Sequence, residues 1–452
     1  MPSTAALRKL TTVQRAGALA ITGGFRTSPT EVLDAHAALV PMNHRIDKIR
    51  SSKAIRLASL PKTHPLCKQF KTAYRRRIIR HRSSLHELAL TLSSDPDEIE
   101  TVPVVRLNPA LRRSNPFRIS IASDKEASKR EDASAREEIK VYSDGSAHNG
   151  QVGAAAVLYR KGKLSKTLRL KLGSVKDHTV YEAELVGLIL AMHLIKMEKR
   201  GKVQCAIGAD NQAAIIALQS ELIKPGQYLA MEFITLANQV ALSRNGGGYG
   251  LTIRWTAGHA EIRGNEKADK EAKRAAGGNT SPENEFPKCI KKKIRKSTSA
   301  LKQECNKKIN LRWKKEWNAS ERYNRHKFPD LVSPASHKFV TLTSDIRIPR
   351  HMASLIFQLR TGHAPLNNYL HRFKCVDSAR CPACGEGRET VEHFLLRCPK
   401  YAHERWTLLK HVKDNTPRLE DLLSNPKTIL QLICYIDATE RFKGQDQRQT
   451  PG

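Results

Sequence analysis

Apolar residues near the start of the chain recur at helical spacing: Leu7, Leu10, Val13 and Leu19 form one stripe, and Val32, Leu33, Ala37 and Leu39 another. Residues 1–90 therefore read as a helical unit. Over 91–135 Ser, Asp, Glu, Lys, Arg and scattered Pro take over, and too few apolar residues remain at any period to bury a face, which predicts a disordered linker. Three strand-like runs follow, 139–143, 152–159 and 164–171, separated by glycine-bearing turns and predicting an antiparallel meander. Next come a long apolar helix over 179–199, a strand at 203–207 and a helix after Asp210. A helix over 228–242, a glycine-rich turn at 245–248, a strand at 249–255 and a short helix over 265–274 complete the region. The long helix is a crossover connection, so strand 203–207 should run parallel to strand 139–143. The pattern over 136–278 predicts an α/β fold, a mixed five-stranded sheet with flanking helices.

Beyond it, 279–330 reads as a basic helical connector, with fifteen Lys or Arg against three Glu between 288 and 327. Ile290, Ile294, Leu301, Cys305, Ile309, Trp313 and Trp317 recur there at roughly helical spacing, and the two tryptophans are expected to pack against a neighbouring helix rather than stack on bases. Residues 331–410 form a second helical segment leading into a cysteine cluster, and 411–452 a short helix and polar tail.

Composition changes this picture through charge. The 452 residues suit two or three compact units, and 78 basic against 44 acidic side chains leave +34, with an isoelectric point near 10.0. Such a surface repels itself unless a polyanion shares it, so nucleic acid is the expected partner. Seven basic residues between Lys68 and Arg82 face no acid in the local sequence, which makes Arg75, Arg76 and Arg77 candidate substrate-binding residues. The longest comparable apolar run, Leu185 to Met192, is too short to cross a membrane, and the first twenty residues lack the apolar block of a secretory signal. An intracellular protein is expected, and the basic run at 291–296 suits nuclear import. Nine cysteines are too dilute for a disulfide framework.

Two constellations carry chemistry. Asp144 ends the first strand in VYSDGSAHNG beside a glycine turn, and Asp210 ends the parallel strand next to it. Glu184 projects from an almost wholly apolar helix, where an unpaired charge costs several kcal/mol, roughly, unless a cation or a raised pKa relieves it. Glu182, on the same turn, is the weaker candidate. Asp269 lies in TAGHAEIRGNEKADKEAKRA, with His259 at the start of that loop. Carboxylates converging from separate elements repel one another and make sense as ligands of hard divalent cations such as Mg²⁺. In the second constellation, RCPACGEGRETVEHFLLRCPKY, the spacing of Cys381, Cys384, His393 and Cys398 fits one tetrahedral Cys₃His zinc site, with Cys375 and His403 flanking it.

The segments VYSDGSAHNG, TVYEAEL, IGADNQAA and GHAEIRGNEKAD resemble, in order and roughly in spacing, the four acidic motifs of type 1 ribonuclease H. The resemblance implies a ribonuclease H-like fold and hydrolysis of the RNA strand of RNA–DNA hybrids with two Mg²⁺ ions. It implies that Asp144, Glu184, Asp210 and Asp269 bind the metals, that His259 assists proton transfer or product release, and that Asn149 reads a 2′-hydroxyl. Val180 and Tyr181 stand where cellular members often carry an Asn-Gln pair. More widely, LRKLTTVQRAGALAITGGFRTSP resembles the helices after a reverse transcriptase palm. QLRTGHAPLNNYLHRF with the cysteine cluster resembles the terminal zinc segment of a non-LTR retrotransposon polyprotein. No adjacent pair of aspartates occurs, so polymerisation is not expected. The rival expectation is a catalytically idle, retroelement-derived protein that binds nucleic acid.

Overall fold

A computed structural model describes residues 3–78, 80–102, 116–198, 203–220, 224–243, 250–291, 293–325, 328, 334, 347–410, 412 and 418–443. The chain divides into two compact units, one of residues 50–305 and one of residues 1–49 with 306–452. Along the chain, helices α1 (Thr4–Thr22), α2 (Thr30–His36), α3 (Met42–Ala58), α4 (Pro65–Arg76) and α5 (Ser84–Ala89) come first. Strand β1 (Arg118–Ser120) and helix α6 (Lys125–Ser134) lead into β2 (Ile139–His148), β3 (Gln151–Arg160) and β4 (Lys163–Ser174). Helix α7 (Val180–Met197), β5 (Gln204–Ala209), α8 (Gln212–Ala217), α9 (Gln227–Ser243), β6 (Gly250–Trp255) and α10 (Arg263–Ala276) follow. The remaining α-helices among the described residues are α11 (Lys288–Lys291), α12 (Thr298–Ala319), α13 (Glu321–Arg325), α14 (Arg350–Thr361), α15 (Asn367–Arg372), α16 (Ala402–Leu409), α17 (Leu419–Ser424) and α18 (Pro426–Ala438).

The sheet lies in the 50–305 unit, in the order β1-β6-β5-β2-β3-β4. Strands β2, β3 and β4 pair antiparallel, while β5 runs parallel to β2, β6 to β5 and β1 to β6. The meander and the parallel crossover are as the sequence pattern predicts. The interior of β3 is buried on both faces, because α7 and α10 both pack on it. Helix α7 is apolar nearly all round, buries thirteen residues and starts with a capping box in which Thr179 and Glu182 satisfy each other's backbone N–H. The other face is fitted by glycine: a Cβ on Gly153 would come 2.2 Å from the backbone nitrogen of Ala276 in α10.

Four expectations need correction. The sheet has six strands, because the three residues of β1 pair with β6 from inside the expected linker. That linker is ordered over 116–134: Phe117 is buried edge-on to Phe233 at 5.7 Å, and α6 is held by polar bonds that apolar periodicity does not register. The expected unit 1–90 is divided. Ala18, Leu33 and Ala37 share a core with Ile356, Phe357 and Ile429, whereas Ala54, Ile55, Phe70 and Ala73 share another with Ile99 and Leu301. A helical stripe records that a face is buried and not which partner buries it. Among the described residues after 410 there are two helices rather than one, and Leu423, Leu432, Tyr435 and Ile436 carry them into a core with Phe394, Trp313 and Trp317. The tryptophans, each 3% exposed, pack as expected. The glycine-rich turn at 245–248 and residues 444–452 of the tail lie outside the described residues.

Gly153→Ala should cost about 3 kcal/mol, since the added methyl meets backbone that cannot yield without moving α10. Denaturant unfolding of the variant beside the wild type measures it, and an unchanged midpoint would contradict the packing described.

Candidate active site and metal centre

Asp144 and Asp210 are brought together by strand register. Ser143 of β2 pairs with Ala209 of β5 in parallel, so Asp144, inside β2 rather than at its expected end, stands beside Asp210, which follows the last residue of β5. Glu184 arrives from α7, and Gly145 makes the approach possible: a Cβ there would lie 2.3 Å from the backbone nitrogen of Glu184. A carboxylate oxygen from each of Asp144, Glu184 and Asp210 lies within 4.8 Å of the other two. Asp144 and Glu184 are each 5% exposed, and Oδ2 of one and Oε2 of the other have no hydrogen-bond partner.

The electrostatics follow from this geometry. Burial first, then the neighbouring charges of Asp210 and Asp269, push the Asp144 carboxyl up to about 7. Burial with the charges of Asp144 and Asp210 pushes Glu184 up to about 10. Asp210 is also raised, mainly by burial, against an opposing hydrogen bond from Asn265. Three hard oxygen donors, two of them with orphaned buried atoms, fit a divalent cation far better than they fit one another.

The other candidates occupy different positions. Asp269 sits half-buried on α10 outside the three-acid cluster, accepting from Nζ of Lys273 at 2.7 Å, yet near enough to raise Asp144. His259 is exposed in the loop 256–262 with a left-handed φ of 53°, and its charge acts on Asp210. Asn149 is exposed in the turn between β2 and β3 with φ 47°. Glu182 is spent in the capping box, where its Oε2 accepts from the Thr179 backbone at 2.9 Å.

The basic run from Lys68 to Arg82 does meet acids, contrary to the local reading. Lys71 and Arg75 bind Asp97 at 2.6 and 2.7 Å, and Arg82 binds Glu87 at 3.3 Å. Asp97 returns to the run only through the fold, while Glu87 lies just past its end. Arg76 and Arg77 are exposed, with the Arg77 guanidinium 5.8 Å from the centre of the Tyr74 ring.

Asn265 and Asn211 were not singled out by sequence. Asn265, 3% exposed, accepts from Thr256 Oγ1 at 3.1 Å and bonds Asp210, while Asn211 caps α8 and bonds Glu184. The available signal was their adjacency to the acidic motifs, in GNEKAD and GADN.

In the other unit, one ligand atom each from Cys381, Cys384, His393 and Cys398 lie within 4.8 Å of one another. The sulfurs of Cys381 and Cys398 are 3.8 Å apart, and Cys384 Sγ is 3.4 Å from His393 Nε2. The three cysteines are free thiols. The turn closes through Gly385, at φ 70°, whose N–H donates to the Cys381 carbonyl at 2.8 Å. Burial and the Cys381 sulfur push the Cys398 thiol up to about 12, so thiolate there at neutral pH calls for a cation. A buried pair of Glu389 with Arg441, at 2.5 Å, braces the same turn. Cys375 and His403 are exposed and outside the cluster.

Residues 136–277 match the RNase H family. No curated protein matches the chain. Among solved structures, RNase H1 from the halophilic archaeon Halobacterium salinarum is 18% identical over 30% of this chain and 96% of its own, with a TM-score of 0.24. LC11-RNase H1, isolated from compost and solved in complex with an RNA/DNA hybrid, is 20% identical over 31% of this chain and 96% of its own, with a TM-score of 0.25. The foamy viral protease-reverse transcriptase, solved in complex with RNA/DNA hybrid, is 17% identical over 31% of this chain and 20% of its own, with a TM-score of 0.25.

The clustered charges make stability depend on pH. Asp144 and Glu184 titrate higher in the folded state than in the unfolded one, so their contribution is complete below about pH 4. It is lost as pH rises through about 7 for Asp144 and on toward about 10 for Glu184. Without divalent cations, Asp144→Asn should raise the thermal midpoint at pH 8 and leave it nearly unchanged at pH 4. A variant no more stable than wild type at pH 8 would show that the carboxylates are not crowded.

Proposed function

We propose that the chain is an endoribonuclease that hydrolyses the RNA strand of RNA–DNA hybrids. The observation that carries this is the trio of buried carboxylates with orphaned oxygens, set within a stretch that matches the RNase H family. Asp144, Glu184 and Asp210, with Asp269 beside them, would hold two Mg²⁺ ions. Those ions supply Lewis-acid chemistry, easing deprotonation of a water and offsetting charge on the departing oxygen. Water adds across one P–O bond, leaving one fragment ending in phosphate and the other in hydroxyl. His259, exposed in the loop beside Asp210, would hold or deliver a proton. Asn149 reads the 2′-hydroxyl, and Asn265 and Asn211 orient the carboxylates they bond.

The net charge of +34 supports the polyanionic substrate, and Arg75, Arg76 and Arg77 contribute phosphate contacts beyond the site. Cys381, Cys384, His393 and Cys398 hold one Zn²⁺ that fixes a short polar segment otherwise unable to order its loops. The order of helical segment, RNase H domain and cysteine cluster supports an origin in a non-LTR retrotransposon polyprotein, with the first segment thumb-like. Nuclear residence belongs to the same proposal and rests on the basic run at 291–296. Among the described residues no helix is long and apolar enough to cross a membrane.

Cleavage of a labelled hybrid beside duplex and single-stranded RNA, with and without Mg²⁺, tests the activity. Asp144→Asn or Asp210→Asn should lower turnover by several powers of ten with hybrid binding retained. His259→Ala should cost less, about 10² to 10⁴. Hydrolysis undiminished in either aspartate variant would remove the carboxylates from the reaction, and binding to hybrid with no turnover in the wild type would replace the enzyme with a binding protein.

Elemental analysis of the desalted protein should find one zinc per chain, lost in Cys384→Ser and in His393→Ala. A zinc-selective chelator, with Mg²⁺ kept in excess, should loosen the 381–398 segment without stopping hydrolysis. Retention of the full zinc content by both variants would refute the assignment.

A further inference from the structure

Helix α6 ends just before the stretch that matches the RNase H family, so the family assigns it nothing. It is anchored along its length. Asp124 caps it by accepting from Ala127 N at 2.8 Å. The Ser120 hydroxyl of β1 donates to Glu131 at 3.1 Å, Tyr142 of β2 donates its hydroxyl to Asp132 at 2.6 Å, and Lys140 donates to the Asp132 carbonyl at 2.8 Å. From this fixed helix Ser128, 2% exposed, reaches the end of β6. Its hydroxyl donates to the Trp255 carbonyl and accepts from Ala257 N–H, each at 3.0 Å. Ala257 is fully buried.

The segment so gripped opens the loop 256–262. That loop holds two non-glycine residues in the left-handed region, His259 at φ 53° and Glu261 at φ 60°, a shape that persists only where its surroundings enforce it. The loop also lies on the carboxylate cluster. Thr256 N donates to the Ala209 carbonyl at 2.9 Å, the Trp255 indole donates to the Asp210 carbonyl at 2.9 Å, and a Cβ on Gly258 would come 3.1 Å from Asp210 Oδ2. Downstream the loop passes into α10, and at its upstream end the Ser128 hydroxyl holds it alongside the bond from Thr256 to Ala209.

We propose that α6, through Ser128, positions the loop that carries His259. Ser128 is a positioning residue: it touches neither substrate nor metal, and one hydroxyl satisfies two backbone groups that flank Thr256. The proposal rests on the hydrolytic reading wherever turnover is the readout.

The test uses the full chain. In Ser128→Ala, kcat on a labelled hybrid should fall about tenfold with KM little changed, the signature of a displaced group rather than weakened binding. His259→Ala and the double variant should turn over at the same rate, because a brace acting through His259 then has nothing left to position. Backbone hydrogen exchange gives an arm independent of activity: the Ala257 amide should lose protection in Ser128→Ala while amides of β2 and β5 keep theirs. If Ser128→Ala does not fold, Ser128→Cys keeps a weak donor and acceptor at the site and should show a smaller kcat loss, again absent beside His259→Ala. Multiplying losses in the double variant, a rise in KM alone, or unchanged exchange at Ala257 would each overturn the proposal. A wild-type chain that leaves the hybrid uncut would instead overturn the hydrolytic reading, with exchange at Ala257 still deciding the brace.

Discussion

Everything about the sheet-bearing unit is arranged around one unfavourable contact, three carboxylates crowded into a nearly dry corner. Asp144 and Glu184 are each 5% exposed with Asp210 beside them, and burial together with mutual repulsion holds protons on groups that would otherwise ionise freely. A protein tolerates such a cluster only if the surrounding fold is stiff enough to resist it, and keeps it because a cation reverses its sign.

The stiffness has identifiable sources. Helix α7 is buried over most of its surface and locked at its first turn by a capping box, so Glu184, two residues past Glu182, has little freedom to swing away. Gly145 and Gly153 let α7 and α10 approach the strands to backbone contact on the two faces of the sheet. Asp144 and Asp210 follow residues paired in a parallel register, which fixes their spacing through the backbone rather than through side chains.

Segments outside the matched domain take part in the same unit. Glu100, 1% exposed, accepts from the backbone of Gly226 at 2.6 Å and of Thr298 at 2.8 Å, tying the start of α12 and the approach to α9 to one carboxylate. Ile99 pairs with Lys296, and β1 extends the sheet past β6. Residues on both sides of the family match are thus built into the fold by polar bonds and single apolar anchors such as Phe117.

The sequence by itself determined the parts that depend on local periodicity and on unusual chemistry in a plain setting. Alternation predicted the meander, the length of the crossover helix implied a parallel neighbour, and Glu184 stood out because a carboxylate in an apolar helix needs a reason. The cysteine and histidine spacing was equally legible, because a short knuckle brings its ligands together through local turns. Tertiary structure alone decided the rest. The partner of Arg75, the division of residues 1–90 between two cores, the sixth strand and the hold of Ser128 on Trp255 and Ala257 all join residues apart in the chain. Helical spacing says that a face is covered but not by what, and a serine or a three-residue strand in a polar stretch leaves no periodic trace. Such contacts exist only once the chain has closed on itself, when one hydrogen bond can join positions more than a hundred residues apart.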